Sequence, residues 1–527
     1  MRVNKHHFIV TILFLASSLL HAQEPLLNKD IATNRLLSEV YYPKDIKKER
    51  KTPGSVFFNG GEGQKENSRQ FKPQPNKPIQ KPNVLLICID DLRPELKSFG
   101  ASHIISPHID TLAQKGVAFQ KHYVNAPSCG PSRYALLTGQ LGPATNNALF
   151  QRAQKIDSPS KIINPSMPEW FKSNGYRTIS VGKVSHHPGG RGGDDWNDSS
   201  LVEMPNAWDK SLMPVGPWLH PRGAMHGLAN GEIRKSSSVM DVFQSAEGND
   251  VTYPDDLITK ETLNQIKELT TNKDQPFFLA VGIIKPHLPF GSPKLYYDMY
   301  NGVEFPEIEH PEKPEGRTTF HNSNEFMKYN LWGKDPNTDA AFSEEVRRHY
   351  AACVTYADAQ VGKILDELKR TAADKNTIVV LWGDHGWHLG EHAIWGKHSL
   401  FEESLHSPLI IYDPGNKHKA NEINEIVETL DIFPTLCEMT GIDIPEFTQG
   451  TSLKGLFDGQ GATDNTTVAY TPKAQTIRTK THRLILHNDG FVELYDYSKD
   501  EGETMNVADQ NPDLVKELIA LLQAKQG

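Results

Sequence analysis

The sequence predicts an α/β fold built on a mostly parallel sheet. Short, continuous apolar runs at Asn83–Ile89, Phe277–Gly282, Thr377–Trp382 and Leu409–Tyr412 are typical of strands buried on both faces. Apolar residues at helical spacing over Glu344–Lys369 predict a helix between two of these strands. Strands that alternate with helices favour a parallel sheet covered on both sides.

The first 80 residues precede the first predicted strand. A basic start, a 13-residue apolar run at Phe8–Leu20 and a small residue at Ala22 predict a secretory signal peptide over residues 1–22. The run is short of the roughly 20 residues needed to span a membrane. Residues 23–80 are rich in Gly, Pro, Lys and Gln, which predicts an extended segment.

The rest of the chain divides into two predicted parts, residues 81–465 and 466–527. The first part holds the apolar strands and, over residues 187–250, a stretch rich in Gly and Pro that predicts long loops. The second predicts a smaller α+β unit, with strands at Arg483–His487 and Val492–Tyr495 and a final helix over Pro512–Lys525.

Polar residues follow three of the apolar strands at the point where each strand ends. These are Asp90–Asp91, Lys285–His287 and Asp384–His385. In parallel sheets the ligand site lies outside the carboxyl ends of the strands, so the three segments predict one shared site.

Composition excludes several function classes. The 527 residues carry 56 Lys+Arg against 65 Asp+Glu, a net charge of −9, which argues against nucleic-acid binding through a basic surface. No transmembrane helix is predicted after signal removal, so a function at a membrane is not indicated. Four cysteines are too few for a disulfide framework in a chain of this length.

The segment Cys129–Gly139 reads CGPSRYALLTG and fits the pattern C-x-P-S-R-x-x-x-L-T-G. This pattern resembles the signature of the type I sulfatases. In that family the cysteine is converted to formylglycine (3-oxoalanine), whose hydrated form supplies one oxygen to attack sulfur and a second to expel the sulfate. The resemblance implies this modification at Cys129 and an alkaline-phosphatase-like fold with a large mixed sheet between helices. It also implies a formylglycine-generating or sulfatase-maturing enzyme as a partner.

Clustered carboxylates select a hard cation such as Ca²⁺ or Mg²⁺, although a histidine ligand also admits softer metals. The resemblance to the sulfatases implies a single Ca²⁺. The residues at the family's ligand positions in this sequence are Asp90, Asp91, modified Cys129, Asp384 and His385.

Other positions of the family's motifs are occupied in this sequence by lysine, arginine and histidine residues, which would bind a sulfate ester. The resemblance implies that Lys183 and Lys397 bind sulfate, that Arg133 holds the formylglycine, and that His287 protonates the leaving alcohol. The histidine that assists the diol remains open. The family spacing from the lysine to this histidine, counted forward from Lys183, gives His186. The family spacing from this histidine to Pro-Gly, counted back from Pro188–Gly189, gives His187; we favour His186.

Within the sulfatases the strings around Asp90, Lys285 and Asp384 are most similar to the iduronate-2-sulfatase branch. That likeness implies a sulfated, uronate-containing polysaccharide or oligosaccharide as substrate, such as a glycosaminoglycan or ulvan, acted on in the periplasm or outside the cell. Two alternatives stay open at this point. One is a phosphodiesterase or phosphonate monoester hydrolase of the same superfamily, and the other is an inactive glycan-binding homologue.

Overall fold

A computed structural model describes residues 81–156, 163–190, 195–198, 200–319, 321, 323–415, 421–461, 463–500 and 502–526. The predicted signal peptide and the extended segment that follows it lie outside the described residues. Among the described residues, no helix has both the length and the apolar character needed to cross a membrane.

Eight strands form the main sheet, in the order β12-β2-β11-β8-β1-β6-β3-β4. Their bounds are β1 Asn83–Ile89, β2 Val117–Tyr123, β3 Arg177–Gly182, β4 Lys210–Leu212, β6 Phe277–Ile283, β8 Thr377–Gly383, β11 Leu409–Tyr412 and β12 Glu422–Glu428. All neighbouring pairs are parallel except those made by β11, which runs antiparallel to both β2 and β8. The sheet is therefore mixed and mostly parallel, as predicted.

Two short two-stranded sheets lie outside the main sheet. They pair β5 Phe243–Ala246 with β7 Phe290–Pro293, and β9 His388–Leu389 with β10 Trp395–Gly396. The predicted loop region over residues 187–250 contains short helical turns together with β4 and β5.

Helices cover both faces of the main sheet. Their bounds are α1 Pro107–Lys115, α2 Cys129–Thr138, α3 Ala148–Ile156, α4 Met167–Ser173, α5 Pro221–Met225, α6 Asp255–Leu269, α7 Lys294–Asp298, α8 Ala340–Arg370, α9 Glu402–Leu405, α10 Ile432–Thr440, α11 Lys454–Phe457 and α12 Pro512–Gln526. The predicted helix over Glu344–Lys369 is α8. It begins four residues earlier than predicted because the Asp339 side chain caps it by accepting a hydrogen bond from the Phe342 N–H at 3.0 Å.

The two faces of β1 contribute to different cores because side chains alternate along a strand. Leu85, Ile87 and Ile89 pack in the core that contains the buried face of α8. Leu86 and Cys88 pack in the opposite core, against residues of α2, α4 and α10. Burial on both faces explains why the β1 sequence is continuously apolar rather than alternating.

The C-terminal part forms a smaller subdomain with its own antiparallel sheet and core. Its strands are β13 Thr467–Tyr470, β14 Ala474–Arg478, β15 His482–His487 and β16 Val492–Asp496, paired in chain order. Leu518 and Leu522 of α12 pack with apolar side chains of this sheet. The predicted strands and final helix of this region are thus present. The four cysteines are all buried, free thiols.

A buried ionic network joins α9 to the C-terminal sheet. Glu402 accepts hydrogen bonds from the guanidinium groups of Arg478 and Arg483 and from the Tyr123 hydroxyl. Burial alone would raise the pKa of Glu402, but Arg478 and Arg483 lower it to about 2. Because the folded pKa lies below the ordinary value of 4.5, this carboxylate stabilises the fold above pH 4.5. The contribution is lost as the pH falls toward 2.

Replacing this carboxylate is expected to destabilise the protein in a pH-dependent way. Glu402→Gln removes the carboxylate that Arg478 and Arg483 share, and although Arg483 keeps its contact with Glu503, urea unfolding at pH 7 should show a loss of about 3 kcal/mol. At pH 3 the difference from wild type should shrink by about half, because wild-type Glu402 is then almost fully protonated in the unfolded state but still mostly charged in the folded state. The exposed Glu422→Gln serves as the control and should change stability by less than about 0.5 kcal/mol. An equal loss at both pH values would contradict the prediction.

Candidate active site

Cys129 is the first residue of α2 and lies at the centre of a buried, charged cluster. Its Sγ is 3.2 Å from Lys397 Nζ, 3.4 Å from His385 Nε2 and 4.0 Å from Lys183 Nζ. Burial raises the pKa of the Cys129 thiol well above its usual value, although both lysines act to lower it. The side chain therefore remains a neutral thiol, a weak nucleophile at neutral pH.

The local sequence accounts for this position of Cys129. Gly130 packs directly on the backbone of Asn146, where an added Cβ would lie 2.2 Å from the Asn146 Cα, so a larger residue does not fit. The Asn146 side chain accepts a hydrogen bond from the Gly130 N–H at 3.0 Å. Arg133 lies one helical turn after Cys129 and so projects from the same face of α2.

Arg133 is fully buried and connects two of the predicted metal ligands. Its guanidinium contacts Asp90 Oδ1 at 3.1 Å and Asp384 Oδ2 at 2.9 Å, and it also donates to the Val184 carbonyl oxygen at 3.1 Å. Two carboxylates next to each other would repel one another without a shared cation. Arg133 thus holds the ends of β1 and β8 and the segment after β3 in one arrangement.

The four predicted acidic and histidine ligands meet at the carboxyl ends of β1 and β8. Donor atoms of Asp90, Cys129, Asp384 and His385 all lie within 4.8 Å of one another. The Asp91 N–H donates to Asp384 Oδ1 at 2.9 Å, and Asp91 Oδ1 is 3.2 Å from His385 Nε2. The other carboxylate oxygen of Asp91, Oδ2, is buried and has no hydrogen-bond partner.

The charges of this cluster are matched in pairs. Lys183 pairs with Asp90, and Lys397 pairs with Asp91 Oδ1 at 2.7 Å. Burial would raise the pKa of Asp90, but Lys183 and the neighbouring cations hold it well below its usual range. Burial raises the pKa of Asp91 well above its usual range despite Lys397. A bound cation would favour the charged form of Asp91.

His287 and His186 differ in the hydrogen bonding of their Nδ1 atoms. His287 Nδ1 is 2.6 Å from the Leu288 carbonyl oxygen, which fixes that nitrogen as the N–H donor and leaves Nε2 free to exchange a proton. Burial, reinforced by Lys183, lowers the pKa of both histidines well below the usual value. Nδ1 of His186 is buried without a hydrogen-bond partner.

His187, the alternative to His186, is bound to another side chain. Its Nδ1 lies 3.0 Å from Glu203 Oε1, and its backbone N–H donates to Glu203 Oε2 at 2.6 Å. This double contact anchors the loop after β3 and commits the Nδ1 atom of His187. The two histidines therefore differ at Nδ1, which contacts Glu203 in His187 and has no hydrogen-bond partner in His186.

Two further residues of the cluster carried no motif in the sequence. Glu325 lies 3.6 Å from Lys397 Nζ and 3.7 Å from His287 Nε2. The ring of His226 lies 5.3 Å from that of His287. Both come from segments without regular strands or long helices, so only the fold brings them to the site.

The chain is similar to known proteins over most of its length. The family model described as Sulfatase matches residues 82–442, and that of the N-sulphoglucosamine sulphohydrolase C-terminal region matches residues 390–526. A protein named sulfatase from Formosa agariphila is 30% identical over 456 residues, covering 83% of this chain and 85% of the relative. Human iduronate 2-sulfatase is 31% identical over 418 residues, covering 71% of each chain.

Solved structures share the fold at lower identity. The phosphonate monoester hydrolase of Agrobacterium radiobacter superposes with a TM-score of 0.67 at 22% identity, covering 85% of this chain and 96% of that one. A protein solved with its substrate D-glucosamine-2-N,6-O-disulfate gives a TM-score of 0.62 at 22% identity, covering 85% and 97%. The predicted alkaline-phosphatase-like architecture is thereby confirmed. Together with the family match over most of its length, these likenesses show that the chain belongs to the sulfatase family and is a sulfuric ester hydrolase.

Proposed function

We propose that this protein hydrolyses sulfate esters of a sulfated glycan with a formylglycine made from Cys129. The observation that carries the proposal is the surroundings of Sγ, which lies within 4.0 Å of two lysine ammonium groups and a histidine. As a buried thiol with a raised pKa, Cys129 is a poor nucleophile in its unmodified form. Hydrated formylglycine supplies one hydroxyl that attacks sulfur and another that allows the sulfate to leave.

The donor set around Cys129 fits a calcium ion. Carboxylate oxygens are the ligands that Ca²⁺ prefers, and the buried, unpartnered Oδ2 of Asp91 offers one such atom. The residues that would hold the ion are Asp90, Asp91, Asp384 and His385 together with modified Cys129. Bound there, Ca²⁺ would supply positive charge to the oxygens of the sulfate group.

In this proposal the lysines bind the substrate and the histidines transfer protons. Lys183 and Lys397 receive the anionic ester and stabilise the charge that develops on its oxygens. His287 acts as the general acid through Nε2, which takes up a proton when the negatively charged sulfate ester binds and gives it to the departing sugar oxygen; the carboxylate of Glu325, 3.7 Å from Nε2, favours the protonated ring. His186 accepts a proton through its uncommitted nitrogen as sulfate leaves, while His187 positions the loop through Glu203. Arg133 holds the metal-binding carboxylates in place.

We infer that the glycan carries uronate. Two arginines, Arg222 and Arg234, come from the loops of residues 187–250. Burial lowers the pKa of His226, and both arginines lower it further; the ring of His226 lies 5.3 Å from that of His287. Positive charge near His226 suits a sugar with a carboxylate. The names of the relatives agree, since one is iduronate 2-sulfatase and a structure at 20% identity is described as a 2-O GAG sulfatase.

We also propose that the protein acts in the periplasm or outside the cell. This rests on the predicted signal peptide over residues 1–22. A formylglycine-generating or sulfatase-maturing enzyme would modify Cys129 before or during export.

The proposal is tested by two measurements on protein produced with a maturing enzyme. Mass spectrometry of the peptide that contains Cys129 should show the loss of mass expected for conversion of cysteine to formylglycine. Turnover of an aryl sulfate should exceed that of the matching aryl phosphate and phosphonate, and a panel of defined sulfated glycans should identify the sugar. Dominant phosphate or phosphonate turnover would contradict the proposal. An unmodified cysteine together with retained glycan binding would instead indicate an inactive binding protein.

A further inference from the structure

A second group of converging side chains lies outside the catalytic cluster. His388 belongs to β9, His392 to the helical turn Glu391–Ala393, and Glu403 to α9. Glu403 Oε2 lies 3.6 Å from His388 Nδ1 and 3.7 Å from His392 Nδ1, and the three atoms all lie within 4.8 Å of one another. We refer to these three residues as the His–His–Glu cluster.

The outer nitrogen of each histidine is bound so that Nδ1 carries a lone pair. His392 Nε2 lies 2.6 Å from the Gly502 carbonyl oxygen, which can only accept, so the ring proton is on Nε2. His388 Nε2 lies 2.9 Å from Ser399 Oγ. That hydroxyl gives its own proton to Ser404 Oγ at 3.0 Å, so it accepts from His388. With Nε2 as the donor, the Nδ1 atom of each imidazole faces Glu403 and is available as a ligand atom.

In this tautomer the two Nδ1 atoms and Glu403 Oε2 face one another as three potential metal ligands. His388 and His392 are fully buried, and neither Nδ1 atom nor Glu403 Oε2 has a hydrogen-bond partner. The separations of 3.6 and 3.7 Å are too long for a direct hydrogen bond from a protonated carboxyl group. A single water has two protons for three acceptors, whereas one cation satisfies all three lone pairs.

We propose that the His–His–Glu cluster is a binding site for a divalent transition-metal ion, with Zn²⁺ as the best match. Two imidazoles and one carboxylate are a common zinc ligand set, and tetrahedral zinc with bonds of about 2.1 Å places its ligand atoms about 3.4 Å apart. The separations of Glu403 Oε2 from the two Nδ1 atoms, 3.6 and 3.7 Å, are within a few tenths of an ångström of that value. The Glu403 side chain is 17% exposed, which provides a route for the ion and for a water as fourth ligand.

The bound ion would hold together three segments near the catalytic cluster. His388 pairs with Gly396 across β9 and β10, and Lys397 follows Gly396 directly. His392 contacts the C-terminal subdomain through Gly502, and Glu403 belongs to the helix that carries Glu402. Hydrogen bonds from the outer nitrogens of both histidines set the ring orientation, as is usual for zinc ligands. The ion is therefore structural and shares no ligand with the sulfate site.

The test uses the full-length protein, saturated with Ca²⁺ and dialysed against Zn²⁺, with bound metals measured by elemental analysis. Wild type should bind one equivalent of Zn²⁺, which also raises the melting temperature. His388→Gln and Glu403→Gln should each weaken Zn²⁺ binding at least about 100-fold while the Ca²⁺ content stays unchanged. His482→Gln removes a histidine on β15 and should bind Zn²⁺ as wild type does.

Asp384→Asn separates this inference from the proposed function, because it removes a ligand of the proposed calcium site. This variant should keep its Zn²⁺ equivalent. The inference would be overturned if wild type bound no more Zn²⁺ than Glu403→Gln and His388→Gln, or if Asp384→Asn lost the same equivalent. The circular dichroism spectrum of each variant shows whether it is folded. Two independent ligand substitutions keep the test decisive if one of the variants fails to fold.

Discussion

Cys129→Ala is expected to abolish sulfate ester hydrolysis, with kcat falling by at least about 10⁵-fold. The reason is that the proposed nucleophile derives from this side chain, while Lys183, Lys397 and His287 have no group to activate without it. Removing the thiol should change stability much less than activity, since Cys129 is small. The measurement is release of sulfate from an aryl sulfate, together with a binding assay for the glycan substrate, which should be retained within a few-fold.

Two further variants serve as controls for this prediction. Cys437→Ala removes another buried thiol, in α10, and should leave kcat unchanged. Cys129→Ser, produced without a maturing enzyme, supplies one hydroxyl instead of two. It should release at most one equivalent of alcohol and gain the mass of one SO₃ unit. Steady turnover by Cys129→Ala would refute the assignment of the nucleophile.

The central strands could be predicted from sequence because each is a continuous apolar run that ends abruptly in charged residues. Asn83–Ile89 and Thr377–Gly383 are buried on both faces, and that burial is what makes their sequences uniform. The same uniform sequence gives no information about whether a strand runs parallel or antiparallel to its neighbours. Leu409–Tyr412 runs antiparallel to its neighbours, and nothing in four apolar residues distinguishes that orientation from a parallel one.

The catalytic cluster could be predicted where its residues stand at strand ends or in the Cys129 motif. Glu325 could not, since it comes from a loop and meets Lys397 and His287 only in the folded chain. The different surroundings of His186 and His187 also could not be predicted, because the contact of His187 is with Glu203, sixteen residues away, and forms only in the folded chain. Side chains contributed by irregular segments are placed by tertiary packing, which leaves no periodic signal in the sequence.

His287→Gln is expected to lower kcat most for the esters with the poorest leaving groups. A general acid matters most when the departing oxygen is strongly basic, as a sugar hydroxyl is, and little when a nitrophenolate leaves. The variant should lose about 10²–10⁴-fold in kcat on a sugar sulfate, and less than about 10-fold on 4-nitrophenyl sulfate. The measurement is kcat for a series of aryl sulfates of graded phenol pKa, in which the variant should show the steeper dependence.

Lys397→Met supplies the contrast for this test. Lys397 lies 3.2 Å from Sγ, and in the proposed mechanism it binds the sulfate group rather than the leaving oxygen. Losing a preorganised cation should slow every ester by a similar factor, about 10²–10³-fold, whatever its leaving group. If His287→Gln also slowed all esters equally, His287 would not be the acid. A role in binding or orienting the sulfate would then explain its position beside Glu325, and the leaving oxygen would need another proton donor.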